Sequence, residues 1–128
     1  MVNLGGATEN DRKKIVITKD SKAFFHNNVD YCVGTGRMGL ALTEEYQEEL
    51  RLVQKEIGFK HIRGHGLFCD DMAIFQTYEE DGKVRVEYNY TYLDRVMDAY
   101  KKVGLRPFLE LGFMPKKLAS GSQTIFYW

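Results

Sequence analysis

Two amphipathic helical stretches, each closed by a glycine and each leading into a short apolar strand, restrict this chain more than any other feature. In the first, Tyr46, Leu50, Val53 and Ile57 recur at spacings of four, three and four, which lays one apolar stripe against a sheet. Thr43 stands before it as a cap, Glu44 and Glu45 sit at the positive end of its dipole and Gly58 stops it, so the pattern predicts a helix over 44–57. The second runs from Tyr92 to Val103 with the stripe Leu93, Val96, Met97, Tyr100 and Val103. Thr91 is its cap, Asp94 takes the capping-box position and Gly104 lies beyond its end. Tyr31 to Gly34, His61 to Gly64 and Arg106 to Phe113 read as strands, the last with Pro107 near its start, where a missing ladder donor costs least. Strand, helix, strand, helix, strand is a parallel α/β pattern. It predicts strands near 31–34, 61–64 and 106–111, parallel and in that order in one sheet, with both helices on one side. Between the second strand and the second helix, Ile74 to Glu79 and Lys83 to Tyr88 flank Asp81-Gly82, the composition of a hairpin.

The polar chemistry concentrates in Ile62-Arg63-Gly64-His65-Gly66-Leu67-Phe68-Cys69-Asp70-Asp71. By alternation His61, Arg63 and His65 share one face of the second strand while Ile62 and Gly64 share the other. A polar row survives burial only if it is paired or wetted, which points to the interior of an α/β sheet or barrel near its open end. On the third strand Glu110 shares a face with Phe108 and Gly112 and joins that row. Arg63 and Glu110 then read as interior structural partners, and loss of one is expected to cost roughly 3–5 kcal/mol. Two readings fit His65: a ligand-facing imidazole, or a strand histidine bonded to a main-chain carbonyl. Asp70 and Asp71 either orient Arg37, bind a ligand, or cap and solvate the loop.

Several classes are disfavoured. Gly34, Gly36 and Gly39 imitate a dinucleotide fingerprint, but no helix begins at the third glycine, so they read as a tight turn over a strand end. Eighteen acidic and eighteen basic side chains balance, which removes the electrostatic case for nucleic acid or an anionic membrane. No apolar run approaches spanning length and the first thirty residues lack a secretory core, so a cytoplasmic chain is expected. Cys32 and Cys69 lack metal-ligand spacing and read as free thiols, with no metal and no cofactor implied. Residues 1–30 form a polar extension with a short strand at Ile15 to Thr18, and residues 31–128 form the α/β unit. Three parallel strands with two helices leave a sheet edge open, so the chain reads as part of something larger, able to self-associate through that edge.

The words Tyr31-Cys32-Val33-Gly34-Thr35-Gly36-Arg37-Met38-Gly39-Leu40-Ala41-Leu42, Ile62-Arg63-Gly64-His65-Gly66-Leu67 with Asp70-Asp71, Tyr88-Asn89-Tyr90-Thr91-Tyr92-Leu93-Asp94, and Phe113 to Gly121 leading to Phe126-Tyr127-Trp128 are long and ordered. In them the chain resembles the N-terminal part of bacterial β-xylosidases of glycoside hydrolase family 39, which also contains α-L-iduronidases. The resemblance implies the first three strands of a (β/α)8 TIM barrel, completed in the parent enzyme by the rest of the barrel and an accessory β domain. It also implies a homo-oligomeric parent that releases xylose from the non-reducing ends of xylo-oligosaccharides with retention. Such an enzyme needs two carboxyl groups about 5–5.5 Å apart. In the family the acid/base belongs to an Asn-Glu-Pro word after the fourth strand and the nucleophile follows the seventh. This sequence has no Asn-Glu-Pro, so no catalytic residue is assigned in it, and it is expected to stop short of the acid/base and to be inactive alone. The resemblance assigns His65 to sugar hydroxyls in the cleavage subsite. Phe113 falls where it either walls the sugar pocket or belongs to plain core. A small non-catalytic α/β binding module is the alternative function.

Overall fold

The structure, a computed structural model, describes residues 26–122 together with Ile15, Val16 and Lys19. Of the short strand expected at Ile15 to Thr18, Ile15 and Val16 are exposed and lie in no strand, while Ile17, Thr18 and the words beyond residue 122 fall outside the described residues. The elements follow in the order β1 (Cys32–Arg37), α1 (Glu44–Glu56), β2 (His61–His65), β3 (Phe75–Glu80), β4 (Lys83–Tyr88), α2 (Thr91–Lys102) and β5 (Arg106–Pro107). Strands β1, β2 and β5 form one sheet in that order, both pairs parallel, and β3 and β4 form a separate antiparallel hairpin. Mixed α/β architecture around a parallel sheet is what the alternation of strands and capped helices predicts.

Main-chain bonds fix β2 between its neighbours: Lys60 N–H donates to Asp30 O at 2.9 Å and His61 N–H to Tyr31 O at 3.0 Å on one side. On the other, Arg106 N–H donates to Lys60 O at 3.0 Å and Phe108 N–H to Ile62 O at 2.8 Å. The third strand is shorter than its apolar sequence predicts. After Phe108 the ladder ends, and Leu109 and Leu111, within the stretch read as strand, are exposed. A strand persists only where a neighbour supplies partners. Past His65, Gly66 takes φ 77° and carries the chain out of the sheet, and among the described residues no strand lies on the far side of β5.

The buried core gathers Ile62 from β2, Leu50 from α1, Val96 and Tyr100 from α2, and Met38 and Ala41 from a short 3-10 turn, Met38–Leu42, that touches both helices. Alternation along β2 holds: Ile62 and Gly64 are buried on this side, while Arg63 lies on the open face. Packing is close at Gly64, where a Cβ would come within 3.2 Å of Thr35 Cγ2 and 3.5 Å of Met38 Sδ. The Tyr100 hydroxyl donates to Met38 Sδ at 3.7 Å, and burial pushes its phenol pKa up, so it stays a neutral donor. On the first helix the expected stripe ends one residue early: Ile57 occupies the C-cap beyond the last turn and is exposed. Gln54, which no pattern singles out, ties the loop after α1 to the end of α2, its amide donating to Phe59 O at 3.0 Å and Val103 O at 3.2 Å.

Both threonine caps differ from expectation. Thr43 does occupy the N-cap of α1, but its hydroxyl donates to Leu40 O at 2.8 Å and makes no capping bond to the helix. Thr91 is the first helical residue of α2, and Asn89 Oδ1 accepts from its N–H at 2.9 Å. The hairpin forms as read, with Glu80 paired to Lys83 around Asp81 and Gly82, whose φ values of 51° and 68° are those a two-residue turn of this kind needs.

Ile62 is 1% exposed at the centre of this core and Leu52 is 61% exposed on α1. In the full-length protein, Ile62→Ala is expected to lower unfolding free energy by about 2–5 kcal/mol in urea titrations, and Leu52→Ala to stay within about 0.5 kcal/mol. Equal effects of the two would contradict this assignment of the core.

Candidate functional site

In a parallel sheet every strand delivers its carboxyl end to the same rim. Here that rim carries Arg37 at the end of β1, His65 at the end of β2 and Phe113 beyond β5. The register brings Cys32 opposite His61 and Gly34 opposite Arg63, but then Arg37 opposite His65, so β1 carries one extra residue between Gly34 and Arg37. That irregularity, which no residue spacing announces, sets Arg37 beside His65. Sequence reasoning placed Arg37 only as a partner for the aspartates.

Arg37 Nη2 donates to Asp71 Oδ2 at 2.8 Å, both half-exposed, so the pair orients the loop and contributes no more than about 1 kcal/mol. Asp70 Oδ1 accepts from Lys116 N–H at 3.1 Å. The two aspartates therefore divide between two of the roles open to them: Asp71 orients Arg37 and Asp70 caps a loop. Gly66 lets this loop fold back on itself, since a Cβ there would meet Cys69 Sγ at 3.0 Å and Phe113 Cδ2 at 3.7 Å. Cys69 N–H donates to Gly66 O at 3.1 Å and Phe68 N–H to Gly112 O at 3.0 Å, which fastens the loop after β2 to the segment after β5. Burial first, then the Asp71 charge, pushes the Cys69 thiol pKa up, which disfavours its thiolate. Cys32 and Cys69 are both free.

The His65 and Phe113 rings meet edge to face, centroids 5.8 Å apart, and both are partly exposed. The main-chain carbonyl bond considered for His65 belongs instead to His61, whose Nδ1 lies 3.1 Å from Tyr31 O. An imidazole beside an exposed aromatic ring offers polar atoms for hydroxyls and an apolar surface for the C–H groups of a small polar ligand. The nearby carboxylates, Asp70 and Asp71, are committed to Lys116 and Arg37. Among the described residues no group of three or more His, Cys, Asp or Glu is set to hold a metal, and no helix is long and apolar enough to cross a membrane.

Arg63 and Glu110 form the ion pair that alternation predicts. It is not an interior pair in this structure: the Arg63 side chain is 54% exposed and that of Glu110 24%. Within this chain, solvent therefore screens the attraction.

The family model for glycosyl hydrolases family 39 matches residues 13–128. A β-xylosidase of Geobacillus stearothermophilus is 52% identical over 116 residues, covering 91% of this chain and 23% of that protein. Among solved structures, a Caulobacter crescentus β-xylosidase described as monomeric is 36% identical with a TM-score of 0.67, covering 77% of this chain and 19% of its own. The family 39 enzyme of Xanthomonas axonopodis pv. citri is 37% identical with a TM-score of 0.66, over 77% and 19% of the two chains. The chain belongs to glycosyl hydrolases family 39. It spans about a fifth to a quarter of the length of these relatives.

If the rest of the full-length protein leaves the pair as exposed as it is here, 54% for Arg63 and 24% for Glu110, then Glu110→Gln is expected to cost about 1 kcal/mol or less in unfolding. A loss of several kcal/mol would mean that the rest of the protein buries the pair after all.

Proposed function

We propose that this chain supplies the first three strands of a (β/α)8 barrel, β1, β2 and β5, to a retaining β-xylosidase that acts on xylo-oligosaccharides in xylan degradation. In this reading residues 1–30 are an extension and residues 31–128 the start of the barrel. The observation that carries it is His65, in the word Arg63-Gly64-His65-Gly66, at the carboxyl end of the second parallel strand, where barrel enzymes build their sites. The 52% identity to a β-xylosidase supports the substrate class. Both cysteines are free, as a reducing compartment keeps them, which supports a cytoplasmic enzyme.

Each residue of the rim then has a distinct task. His65 hydrogen-bonds sugar hydroxyls in the cleavage subsite, and Phe113 both steadies the His65 ring through their edge-to-face contact and walls the pocket. The ion pair of Arg37 with Asp71, and the bond from Lys116 N–H to Asp70, hold the loop after β2 in place around them. Arg63 and Glu110 keep β2 and the segment after β5 together below the site. No general acid, base or nucleophile is assigned to any residue of this chain, because a retaining mechanism needs two carboxyl groups facing one another at about 5–5.5 Å.

Bonds to a sugar that distorts toward an oxocarbenium-like state strengthen during reaction, and only such strengthening raises kcat. In the full-length enzyme His65→Ala is therefore expected to lower kcat/KM for an aryl β-xyloside by roughly 10²–10³, about 2.7–4 kcal/mol of transition-state stabilisation. Both limbs of the pH–rate profile should remain, since His65 carries no proton in the reaction. A near-normal kcat/KM would remove His65 from the site, and loss of one limb would make it a proton carrier instead.

A further inference from the structure

The segment that carries Phe113 is tied down on both sides of that residue. Before it, Gly112 O accepts from Phe68 N–H at 3.0 Å. After it, Pro115 leads into a short 3-10 turn, Lys116–Leu118, where Lys116 N–H donates to Asp70 Oδ1 at 3.1 Å. Both of these bonds go to the loop after β2. A third tie goes elsewhere: Lys117 Nζ donates to the Thr77 carbonyl at 2.9 Å and to the Thr77 hydroxyl at 2.6 Å, on strand β3 of the hairpin. Among the described residues, no other hydrogen bond and no ion pair joins the hairpin strands to any residue outside 73–89.

Each end of that tie is firm. On the hairpin side, the register of β3 with β4 is unbroken over six pairs, and Asn89 N–H closes the base on Ile74 O at 2.9 Å, with Ile74 itself buried in the core. Phe75 and Tyr88 also pack edge to face there, centroids 5.9 Å apart. Thr77 is therefore a fixed point. On the other side, Leu118 N–H donates to Pro115 O at 2.9 Å and Ala119 N–H to Lys116 O at 3.1 Å, so the turn shifts as a unit. An ammonium has three donors, and Lys117 gives its donors to two oxygens of one residue, which fixes the turn in direction as well as in distance. Pro115, with its backbone torsion locked by the ring, stands between this turn and Phe113. Phe113 in turn meets the His65 ring edge to face at 5.8 Å. Thr77, Lys117, the turn, Phe113 and His65 thus form one continuous line of contacts from the hairpin to the rim.

We propose that Lys117 is a positioning residue for the sugar site: by holding the 3-10 turn to Thr77, it sets where Phe113 stands against His65 and the sugar. This rests on the reading that Phe113 walls the pocket. The hairpin then acts on the reaction from outside the rim, as the mount for one wall of the site. A wall that loses its mount needs to shift only slightly to matter, since a misplacement of about 1 Å can cost a reaction up to about 10²-fold.

The test uses the full-length protein and an aryl β-xyloside. Lys117→Met is expected to lower kcat about tenfold, and Lys117→Arg, which can still donate to both oxygens, to recover most of that loss. Lys83→Met, on the same hairpin and with no side-chain bond or ion pair among the described residues, is the control and should match the parent. The decisive arm repeats Lys117→Met in a Phe113→Ala background. If Lys117 acts through Phe113, it should cost nothing further there, whereas a lysine that only covered the β3 edge would cost as much in either background. Fluorine NMR of 4-fluorophenylalanine placed at position 113 reads the same coupling without activity: its resonance should move or broaden in Lys117→Met and stay in place in Lys83→Met. A parent that does not hydrolyse the xyloside would defeat the proposed function, and the fluorine signal would then decide the positioning role by itself. Parent-like kcat in Lys117→Met, an equal loss in the Phe113→Ala background, or an unmoved fluorine resonance would each overturn the proposal.

Discussion

Parallel pairing of β2 between β1 and β5 is the constraint on which the rest of the structure depends. It is held by main-chain bonds at both flanks, from Lys60 and His61 on one side and to Lys60 and Ile62 on the other. Because all three strands point the same way, their carboxyl ends form one rim, and Arg37, His65 and the segment before Phe113 arrive there together. The same pairing fixes the pleat of β2, so that Ile62 and Gly64 turn to the helices and Arg63 to the open face. Core and candidate site are thus two faces of one strand, and a slip of a single residue would exchange them.

Much of this was legible in the sequence because it rests on local chemistry. The hairpin follows from Asp81-Gly82, two residues whose backbones take positive φ, and the second helix from a stripe in which Val96 and Tyr100 are fully buried. The polar row of β2 and its partner Glu110 follow from alternation alone. What was misread depends on groups distant in sequence. The third strand was overextended because strand formation past Phe108 needs a neighbour that an apolar run cannot announce. Nearer in sequence, Thr43 holds the N-cap of α1 but gives its hydroxyl to the Leu40 carbonyl, and Asn89 Oδ1 accepts from the Thr91 N–H at the start of α2.

The candidate site divides in the same way. His65 is found by its strand position and by the word around it, and its contact with Phe113 requires only that the two strand ends meet. Arg37 was harder to place, since it reaches His65 through an irregularity in β1. Two of the three glycines there answer to packing: a Cβ at Gly36 would come within 2.9 Å of Leu40 Cδ1, and one at Gly39 within 3.2 Å of Asp71 Oδ2, while Gly34 has open space around it. Gly64, which lies beside His65 in sequence, makes room for Met38 beneath the sheet and not for a ligand above it. Neighbours along a strand serve opposite faces, and a motif read as a line of letters hides that division.

The central claim is that the rim at the end of β2 holds sugar through His65. A crystal structure of the full-length protein with xylose or a xylose-derived inhibitor bound tests it most directly. The account predicts a sugar hydroxyl about 2.7–3.2 Å from a ring nitrogen of His65, with the Phe113 ring beside the sugar. A sugar seated elsewhere in the enzyme, with the His65 ring turned to protein groups alone, would contradict it.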